Sequence, residues 1–404
     1  RGIYTVSNQK VLFLLNGVPY FSPSHGDHPH FSLPFAAISK IEVIRGPGAL
    51  VYGSNASAGV INVVTKKNES SVVNFYQGTN PHSNISAYYN KAFSEDHYLS
   101  VSLKFEKDEG HDPEIRAYNP PASFPSGTGT VANVDRSRDL KSLLLNYNYK
   151  NTNFMSHIFE STFSGLAGAA TVINKTDMSQ QGSLFHLDHT FKQDNSSIQL
   201  FGTYINFYRS ALHERGITVP GNSLTTHEDN GNKNYRTKAG IKLNYNFLEN
   251  LEFFGGIEYE ERSIGKGHEV DSNGDEVFVF NPFATSDEKS VYAQIDYTYK
   301  KATFIQGFRY TKNSGAGEEV SPRTSVLYKL NENSSLKLMY SEGFNSPTFT
   351  QTILGWPGIV EPAPDLTAEK IKVYDLAYSY AYDNNLLVLN YYNFKTEDFI
   401  IRRS

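Results

Sequence analysis

The chain has 404 residues, of which 39% are hydrophobic, and a formal net charge of −5 at neutral pH. It contains no cysteine, which excludes a disulfide framework, a thiol nucleophile and a zinc–cysteine site. The negative net charge argues against a general nucleic-acid-binding protein. No stretch reaches the roughly 18–20 apolar residues that a membrane helix needs, which excludes a helical membrane protein. A β-barrel is the other structure that can span a bilayer, and its alternating strands have a low mean hydropathy.

The first 67 residues are predicted to form a small α/β region. Short apolar strands are expected at 11–17, 38–44 and 59–65, and the turn between the last two has room for one turn of helix. This region carries 6 Lys/Arg and 2 Asp/Glu, hence +4, whereas the rest of the chain carries 31 and 40, hence −9. We expect the basic region to lie against the acidic one, although chance also produces such asymmetry in a short segment.

From residue 70 onward, apolar and polar side chains alternate, as they do in strands that face two different environments. In 287–300, for example, Val291, Ile295 and Tyr297 share one face and Ser290 lies on the other. Many of these segments run to 10–14 residues, well beyond the ~5–6 of ordinary strands and enough for the ~9–11 of a tilted membrane strand. About fifteen strands are predicted, near 72–78, 84–92, 98–107, 139–149, 153–164, 182–192, 197–208, 235–247, 250–262, 287–300, 302–312, 322–330, 334–342, 371–381 and 385–394.

The connections between these strands alternate between short turns and long loops. Turns of a few residues alternate with loops such as 108–138, 209–234 and 343–370. Of the 12 prolines after residue 67, 11 fall in the predicted long loops, as expected for a residue that cannot donate to a strand ladder. Short turns at one end and long loops at the other are typical of an outer-membrane barrel.

The stretch IEVIRGPGALVYGSNASAGVINVVTKK at 41–67 resembles the plug domain of TonB-dependent outer-membrane receptors. Its Ile-Glu-x-Ile-Arg-Gly-Pro element, small-residue turn, Tyr-Gly-Ser, Gly-Val-Ile-Asn strand and Thr-Lys stand in the family's order. VLFLLNGVPY at 11–20 resembles the upstream plug strand. EGFNSPTF at 342–349 and EPAPDLTAEKIKVYDLAYSY at 361–380 resemble a barrel loop and the strand that follows it. The plug-motif positions are Gly46, Pro47, Tyr52, Gly53, Gly59 and Asn62.

The resemblance implies a mainly β protein, a transmembrane antiparallel β-barrel with a small α/β plug domain in its lumen. The plug would occupy 1–67 and the barrel 68–404, with about fifteen of the 22 strands of a complete barrel. The chain is then a fragment without the N-terminal part of the plug, the TonB box and the last barrel strands. Asn345 and Ser346 stand where Arg and Ala are usual, which weakens a heme-specific interpretation.

The same resemblance implies a monomeric receptor of the bacterial outer membrane, in contact with its lipid and driven by TonB with ExbB and ExbD. We expect no enzymatic activity, no covalent cofactor and no nucleic-acid partner, and an iron chelate as cargo, above all a ferric siderophore. Heme, cobalamin and metal ions are alternatives within the family. A passive porin or adhesin barrel is the alternative from another class.

Candidate ligand contacts lie in the loop at 20–34, which resembles the outward-facing apical loop of the family's plug. It holds His25, Asp27, His28 and His30, and imidazole and carboxylate groups are metal ligands. They could contact iron in a chelate, heme iron or a bare ion such as zinc or copper, or merely hydrogen-bond to water or ligand.

Two long loops supply further candidate contacts. In 108–138, His111, Arg116 and Tyr118 offer cationic and aromatic groups to an anionic chelate. Trp356, the only tryptophan, can stack on a flat ligand.

A latch between plug and barrel is also predicted. In the family, plug arginines pair with barrel glutamates, so Arg45, which lies with Glu42 in the most recognisable plug element, could pair with lumen-facing Glu258 and Glu260. The alternative is that Glu42 and Arg45 pair locally within the plug.

A barrel enzyme is the remaining alternative. His186 and Asp188 share the polar face of one strand, and with a nearby serine they could form a hydrolase triad. Polar lining of the lumen is the ordinary explanation for this pair.

Overall fold

The computed structural model describes residues 10–78, 81–110, 114–116, 131–133, 137–164, 175–219, 222–229, 234–270, 273–355 and 361–400. Within these ranges the chain is mostly β-strand, arranged as a small sheet and a long barrel wall. No helix of this part of the chain has the length and apolarity that a membrane crossing demands.

The small sheet is the plug. Its strands are β1 (Val11–Leu15), β2 (Val18–Pro19), β3 (Ile38–Arg45) and β4 (Gly59–Thr65), in the order β2-β1-β4-β3. β1 pairs in parallel with β4, whereas β2 and β3 run antiparallel to their neighbours. Between β3 and β4 lies the single helical turn α1 (Ala49–Tyr52), and two 3-10 turns occupy His30–Ser32 and Phe35–Ala37. The predicted plug strands and helical turn are therefore confirmed.

The residue types explain the local geometry of the plug. β1 is a continuous apolar run because it is a central strand, buried on both faces. It ends in a two-residue turn in which Asn16 (φ 51°) and Gly17 (φ 82°) are both left-handed. Asn-Gly is the preferred pair for such a turn, which reverses the chain into β2.

The barrel wall is antiparallel, and each of the fifteen predicted strands coincides with an observed one. The strands outside the plug are β5 (Val72–Gln77), β6 (His82–Ser94), β7 (His97–Asp108), β8 (Glu114–Arg116), β9 (Val131–Asn133), β10 (Arg138–Tyr149), β11 (Thr152–Ser164), β12 (Lys175–Gln193), β13 (Ser196–Val219), β14 (Asn222–Asp229), β15 (Tyr235–Leu248), β16 (Leu251–Ile264), β17 (Gly267–Val270), β18 (Glu276–Asn281), β19 (Ala284–Tyr299), β20 (Ala302–Asn313), β21 (Gly317–Lys329), β22 (Ser334–Asn345), β23 (Glu369–Tyr382) and β24 (Asn385–Glu397). A second helical turn, α2 (Phe349–Thr352), lies in the connection between β22 and β23.

The long connections contain strands that the sequence pattern did not predict. β8 pairs with β9, β14 pairs with both β13 and β17, and β17 pairs with β18. β12 and β13 run to 19 and 24 residues, well beyond the predicted 182–192 and 197–208. Backbone pairing to a neighbouring strand lengthens these ladders where the side chains no longer alternate, so the predicted limits were too short.

The two faces of the wall differ as predicted. In β19, Ser290 is buried toward the lumen, whereas Val291 and Ile295 are 42% and 46% exposed on the outer face. In β11 and β13, where apolar and polar residues alternate less regularly along the sequence, the lumen face is itself partly apolar. Phe159 of β11 and Phe207 of β13 point inward, and both belong to the core shared with the plug. Alternation is weak there because both faces of the strand meet apolar surroundings.

The plug packs against two regions of the wall. Leu15, Tyr20 and Leu33 form a buried cluster with wall residues that include Leu140 and Ile205 of β10 and β13. On another side, α1 contacts β20, β21 and β22. The face of β3 is different, because its large apolar side chains are exposed.

Candidate ligand site and plug–barrel contacts

The apical loop of the plug, residues 20–34, begins with a compact turn. The Ser22 amide donates to the Asp27 carbonyl at 2.7 Å, and the Gly26 amide donates to the Ser22 carbonyl at 2.9 Å. Gly26 has φ 72°, a left-handed conformation that glycine adopts without a Cβ penalty. The turn therefore presents the side chains that follow it on a fixed backbone.

Contacts with the wall place this loop toward the long connections. Arg209 of β13 donates to the Asp27 carboxylate at 2.8 Å, and the Thr350 amide of α2 donates to the Ser24 carbonyl at 3.3 Å. Burial raises the pKa of Asp27, but the Arg209 guanidinium and His25 outweigh it and leave that pKa below its ordinary value. Asp27 is thus an ionised partner of the wall, and its role as a metal ligand stays a prediction.

His28 and His30 form a close pair at the surface of the apical loop. Their Nδ1 atoms are 3.2 Å apart and their rings meet edge to face at 5.2 Å. Burial and the neighbouring His30 lower the pKa of His28 from its ordinary value, which favours a neutral imidazole. Within the described ranges, no three potential metal ligands converge on one point. The pair therefore offers two nitrogen donors and leaves other coordination positions to a ligand.

A cavity of about 60 Å³ lies beside this loop. It is lined by Ser24 and His25 of the plug and by wall and connection residues such as Phe280, Asn281 and Phe349. Pockets for drug-sized ligands measure roughly 300–1,000 Å³, so this cavity is too small to hold a metal chelate as it stands.

The candidate contacts in the long loops are largely outside the described residues. His111, Tyr118 and Trp356 lie there, and Arg116 contributes only backbone, at the end of β8. Their roles in ligand binding stay predictions.

The plug residues of the predicted latch are exposed on β3. Glu42 pairs with Lys40 at 2.6 Å and accepts a hydrogen bond from Asn62 at 3.0 Å. Arg45 is exposed, and no ion pair of Arg45 occurs among the described residues. Glu42 is therefore paired locally, with Lys40 and Asn62 rather than with Arg45.

The barrel glutamates of the predicted latch are paired within the wall. Glu260 accepts two hydrogen bonds from Arg236, at 2.8 and 2.6 Å, and Glu258 accepts one from Arg309 at 2.8 Å. The Arg236 guanidinium then donates to the Pro19 carbonyl of the plug at 3.0 Å. The contact with the plug is thus made by wall arginines that wall glutamates hold in place, because a guanidinium has donors for both.

Two glycines of the plug motif are required by close approach. Gly53 has φ 79°, and a Cβ there would lie 3.0 Å from Nη2 of Arg309. A Cβ on Gly59 would lie 2.7 Å from the Ile44 carbonyl oxygen of the neighbouring strand. The motif is therefore a docking and turn element rather than a ligand contact.

Two glycines of the wall lie in close contact with this part of the plug. A Cβ on Gly307 of β20 would lie 2.5 Å from Cδ1 of Leu50, and one on Gly343 of β22 would lie 3.1 Å from Cβ of Pro47. The Ser346 amide also donates to Ser54 Oγ at 2.9 Å. Nothing local in the strand sequences marks these positions, so only the structure reveals this seat for the plug.

A buried ion pair, which the sequence did not reveal, ties the start of β1 to the start of β23. Lys10 Nζ lies 2.8 Å from Glu369 Oε1, and the two side chains are only 5% and 7% exposed. Glu369 also accepts from the Asn345 side chain at 3.1 Å and from the Ile400 amide at 2.6 Å. Lys10 Nζ lies 3.3 Å above the Phe399 ring. In the sequence, Glu369 lies in the segment at 361–380 that resembles a barrel strand of the family, and nothing there indicates its pairing with Lys10.

A second buried contact joins the apical side of the plug to the wall. The Tyr20 hydroxyl lies 2.9 Å from Nδ1 of His157, and Nε2 of His157 lies 2.9 Å from Oγ of Ser142. All three side chains are buried. One imidazole therefore satisfies two hydroxyls in a region otherwise filled by apolar side chains.

The residues of the barrel-enzyme alternative do come together. His186 lies 3.3 Å from Asp188 and 2.8 Å from Thr203 Oγ1. Asp188 also accepts from Asn153 and Gln199, as expected of polar lining that satisfies its own hydrogen bonds.

Comparison with known proteins agrees with this architecture. The family "TonB dependent receptor-like, beta-barrel" matches residues 76–404, and "TonB-dependent Receptor Plug Domain" matches residues 1–60. The chain belongs to the TonB-dependent receptor family. The receptor is therefore an outer-membrane protein, as predicted, in a family of transport receptors rather than enzymes.

The relatives found by sequence differ in kind from the solved structures found by fold. By sequence it is 30% identical over 236 residues to the vitamin B12 transporter BtuB of Vibrio vulnificus, covering 53% of this chain and 38% of that one. It is 22% identical over 380 residues to BtuB of Photobacterium profundum, covering 92% and 56%. The chain thus spans about half the length of these relatives or less.

By fold, the receptor is similar to solved siderophore receptors. A variant of the ferric enterobactin receptor PfeA of Pseudomonas aeruginosa matches with TM-score 0.73 and 17% identity, covering 96% of this chain and 64% of that one. PirA of Acinetobacter baumannii matches with TM-score 0.67 and 18% identity, covering 97% and 63%. At this level of identity the likeness concerns the fold alone.

Proposed function

We propose that the receptor takes part in energy-coupled import of a metal chelate across the outer membrane, and that the chelate is a ferric siderophore. The observation that supports this most strongly is a plug seated in the barrel wall, with an imidazole-bearing apical loop turned toward the long connections. A passive porin or adhesin would gain nothing from such a plug. Solved proteins of the same fold are named as siderophore receptors, and we take this ligand class as the first candidate. Import of this kind makes and breaks no covalent bond, so we infer that the receptor is not an enzyme.

Each step of the proposed import has a counterpart in the described residues. At the apex, His28 and His30 present imidazole nitrogens, and Arg209 of the wall, which is paired with Asp27, places a cation beside the same loop. Because the apical cavity is small, the long connections have to rearrange to admit the ligand.

Around the apical loop, the plug is held by contacts that must be broken before a chelate can pass. The buried pair of Lys10 with Glu369 is one, and the pair of Tyr20 with His157 is another. Breaking a buried ion pair by removal of one partner costs about 3–5 kcal/mol. A plug held in this way needs an input of energy to move, and we propose that TonB, with ExbB and ExbD, supplies it.

Cobalamin is the second candidate ligand, and one observation favours it. The relatives found by sequence are named as vitamin B12 transporters. A corrinoid carries a central cobalt, which imidazole nitrogen can also ligate.

The single tryptophan provides a direct test of the ligand. Trp356 lies in a predicted ligand-binding loop, so its fluorescence should report a ligand that binds there. Purified receptor would be titrated with ferric catecholate and hydroxamate siderophores, heme and cyanocobalamin, with the iron-free siderophores and a Trp356→Phe variant as controls. Saturable quenching by a ferric siderophore is the expected result. Saturable quenching by cyanocobalamin alone would instead support cobalamin, the second candidate, as the cargo.

Growth measurements separate active import from passive passage. Under iron limitation, cells that depend on this receptor should grow on the bound siderophore only when TonB is present. Equal growth without TonB would overturn the energy-coupled mechanism in favour of a porin.

The histidine pair can be tested in the same titration. Changing both His28 and His30 to Ala should weaken binding of the cargo at least about tenfold, the equivalent of ~1.4 kcal/mol. His97→Ala is the matched control, since His97 lies next to the short turn at the opposite end of the wall. Unchanged affinity of the double variant would exclude a role for this histidine pair as metal ligands.

A further inference from the structure

The outer face of the wall from β7 to β13 carries a register-aligned row whose first three members, on β7, β10 and β11, are apolar. Leu103 pairs with Leu143, Leu143 with Ile158, Ile158 with Ser183, and Ser183 with Asn206. Leu103, Leu143 and Ile158 are 38%, 37% and 44% exposed. Because the lumen side of these strands packs on the plug, this row faces the membrane.

The next outward row, two residues nearer the long connections, is mainly polar. It runs from Phe105 to Lys141, Glu160, Gln181 and Tyr208 by the same strand pairings. The rows on either side continue the gradient: Val101, Leu145, Ser156, Phe185 and Tyr204 lie toward the short turns, and Lys107, Asp139, Thr162 and Ser179 lie toward the long connections. The change from apolar to polar marks the level at which the lipid tails give way to headgroups.

A groove of about 450 Å³ lies across this boundary. It is lined by side chains of both rows and by the chain at Gly182 and Ser183. The small side chain of Ser183, between Ile158 and Asn206 in the outer row, accounts for the depression in the wall. Its volume is within the ~300–1,000 Å³ of specific small-molecule sites.

The charges at the polar end select one kind of headgroup. Lys141 is exposed, and within the described part of the chain it takes part in no ion pair. Glu160 pairs with it across β10 and β11 in the backbone register. A lipid phosphate complements the ammonium group of Lys141.

We propose that this groove is a binding site for one membrane lipid with a phosphate headgroup. The acyl chain lies along Leu143 and Ile158, and the phosphate is held by Lys141. The occupant is a lipid rather than a soluble anion because the apolar end of the groove opens onto the bilayer. The site is on the opposite face of the wall from the plug, so it is independent of the imported ligand.

Native mass spectrometry of the detergent-purified receptor tests this site with two probes. Delipidated receptor would be reloaded with phosphatidylglycerol or with a diacylglycerol of the same acyl chains, which lacks the phosphate. One retained phosphatidylglycerol is expected, with diacylglycerol bound about tenfold more weakly, because diacylglycerol lacks the charged phosphate that bonds to Lys141.

Two substitutions address the two ends of the groove. Lys141→Glu should weaken phosphatidylglycerol binding about tenfold or more through charge, and Ser183→Trp should do the same by filling the groove. Lys91→Glu is the matched control, since Lys91 is an exposed lysine near the short turn that ends β6. Heat-modifiable gel mobility reports whether each variant retains a folded barrel, and a conservative Lys141→Gln variant serves if Lys141→Glu does not fold.

The proposal is overturned if the lipid adduct survives both groove substitutions. It is equally overturned if diacylglycerol binds as well as phosphatidylglycerol, or if Lys91→Glu weakens binding as much as the groove variants do.

Discussion

The buried pair of Lys10 and Glu369 allows a quantitative prediction about the plug. The two side chains are 2.8 Å apart and almost fully buried, so replacing Lys10 by Met leaves an unpaired carboxylate in the interior. Such a change costs about 3–5 kcal/mol. Glu369 keeps its contacts with Asn345 and the Ile400 amide, which places the expected cost at the lower end of that range.

The double variant Lys10→Met/Glu369→Gln should recover part of this loss. It removes both charges, and replacing a whole buried pair by neutral groups is often nearly neutral in free energy. A double-mutant cycle should therefore give a coupling energy of about 2–3 kcal/mol between the two residues.

Opening of the plug can be measured because the chain has no cysteine. A single Ser54→Cys substitution, at a buried plug position, would be labelled by a maleimide only when the plug opens. In this background, Lys10→Met should raise the labelling rate about a hundredfold, since each ~1.4 kcal/mol is a factor of ten. The exposed Lys40 provides the control, Lys40→Met, for which no change is expected. Labelling that is unchanged in Lys10→Met, or equally fast in the single and double variants, would refute the reasoning.

Three further predictions concern the plug. Gly53→Ala should lower the thermal stability of the purified receptor, because the new Cβ meets the Arg309 guanidinium and the positive φ disfavours alanine. Burial lowers the pKa of His28, so the folded apical loop favours the neutral imidazole. As the pH falls below the ordinary pKa of ~6.5, the loop should lose stability, and its limited proteolysis should become faster. His157→Phe should increase Ser54→Cys labelling, because it leaves the Tyr20 hydroxyl buried and unpaired at a cost of about 1–3 kcal/mol.

Matched variants make these predictions specific. Gly274 also has a positive φ, but a Cβ there would meet nothing within 4 Å, so Gly274→Ala should cost less than Gly53→Ala. His28→Gln should abolish the acid-dependent proteolysis of the apical loop; persistence of that dependence would exclude His28 as its source. Adding Tyr20→Phe to His157→Phe should restore slow labelling, and a double variant that labels faster still would contradict the account of the unpaired hydroxyl.

The sequence by itself determined where the fifteen long strands of the wall lie along the chain. Side-chain alternation is a local property of a strand, so each of the fifteen wall strands and the facing of β19 could be predicted from composition along the chain. The plug was equally accessible, because its turns require particular residues, such as Asn16 and Gly17 at left-handed positions. The family followed from the motif at 41–67.

Only the tertiary structure decided which groups hold the plug. The partner of a lumen-facing glutamate depends on the curvature of the wall and on the depth at which the plug sits, neither of which is encoded locally. Glu260 is consequently bound by Arg236 of the neighbouring strand, whereas Lys10 is paired with Glu369, far away in the chain. Ion pairs of this kind form between residues that folding brings together. The alternation that identifies each strand fixes the face on which a charge lies but not the group opposite it.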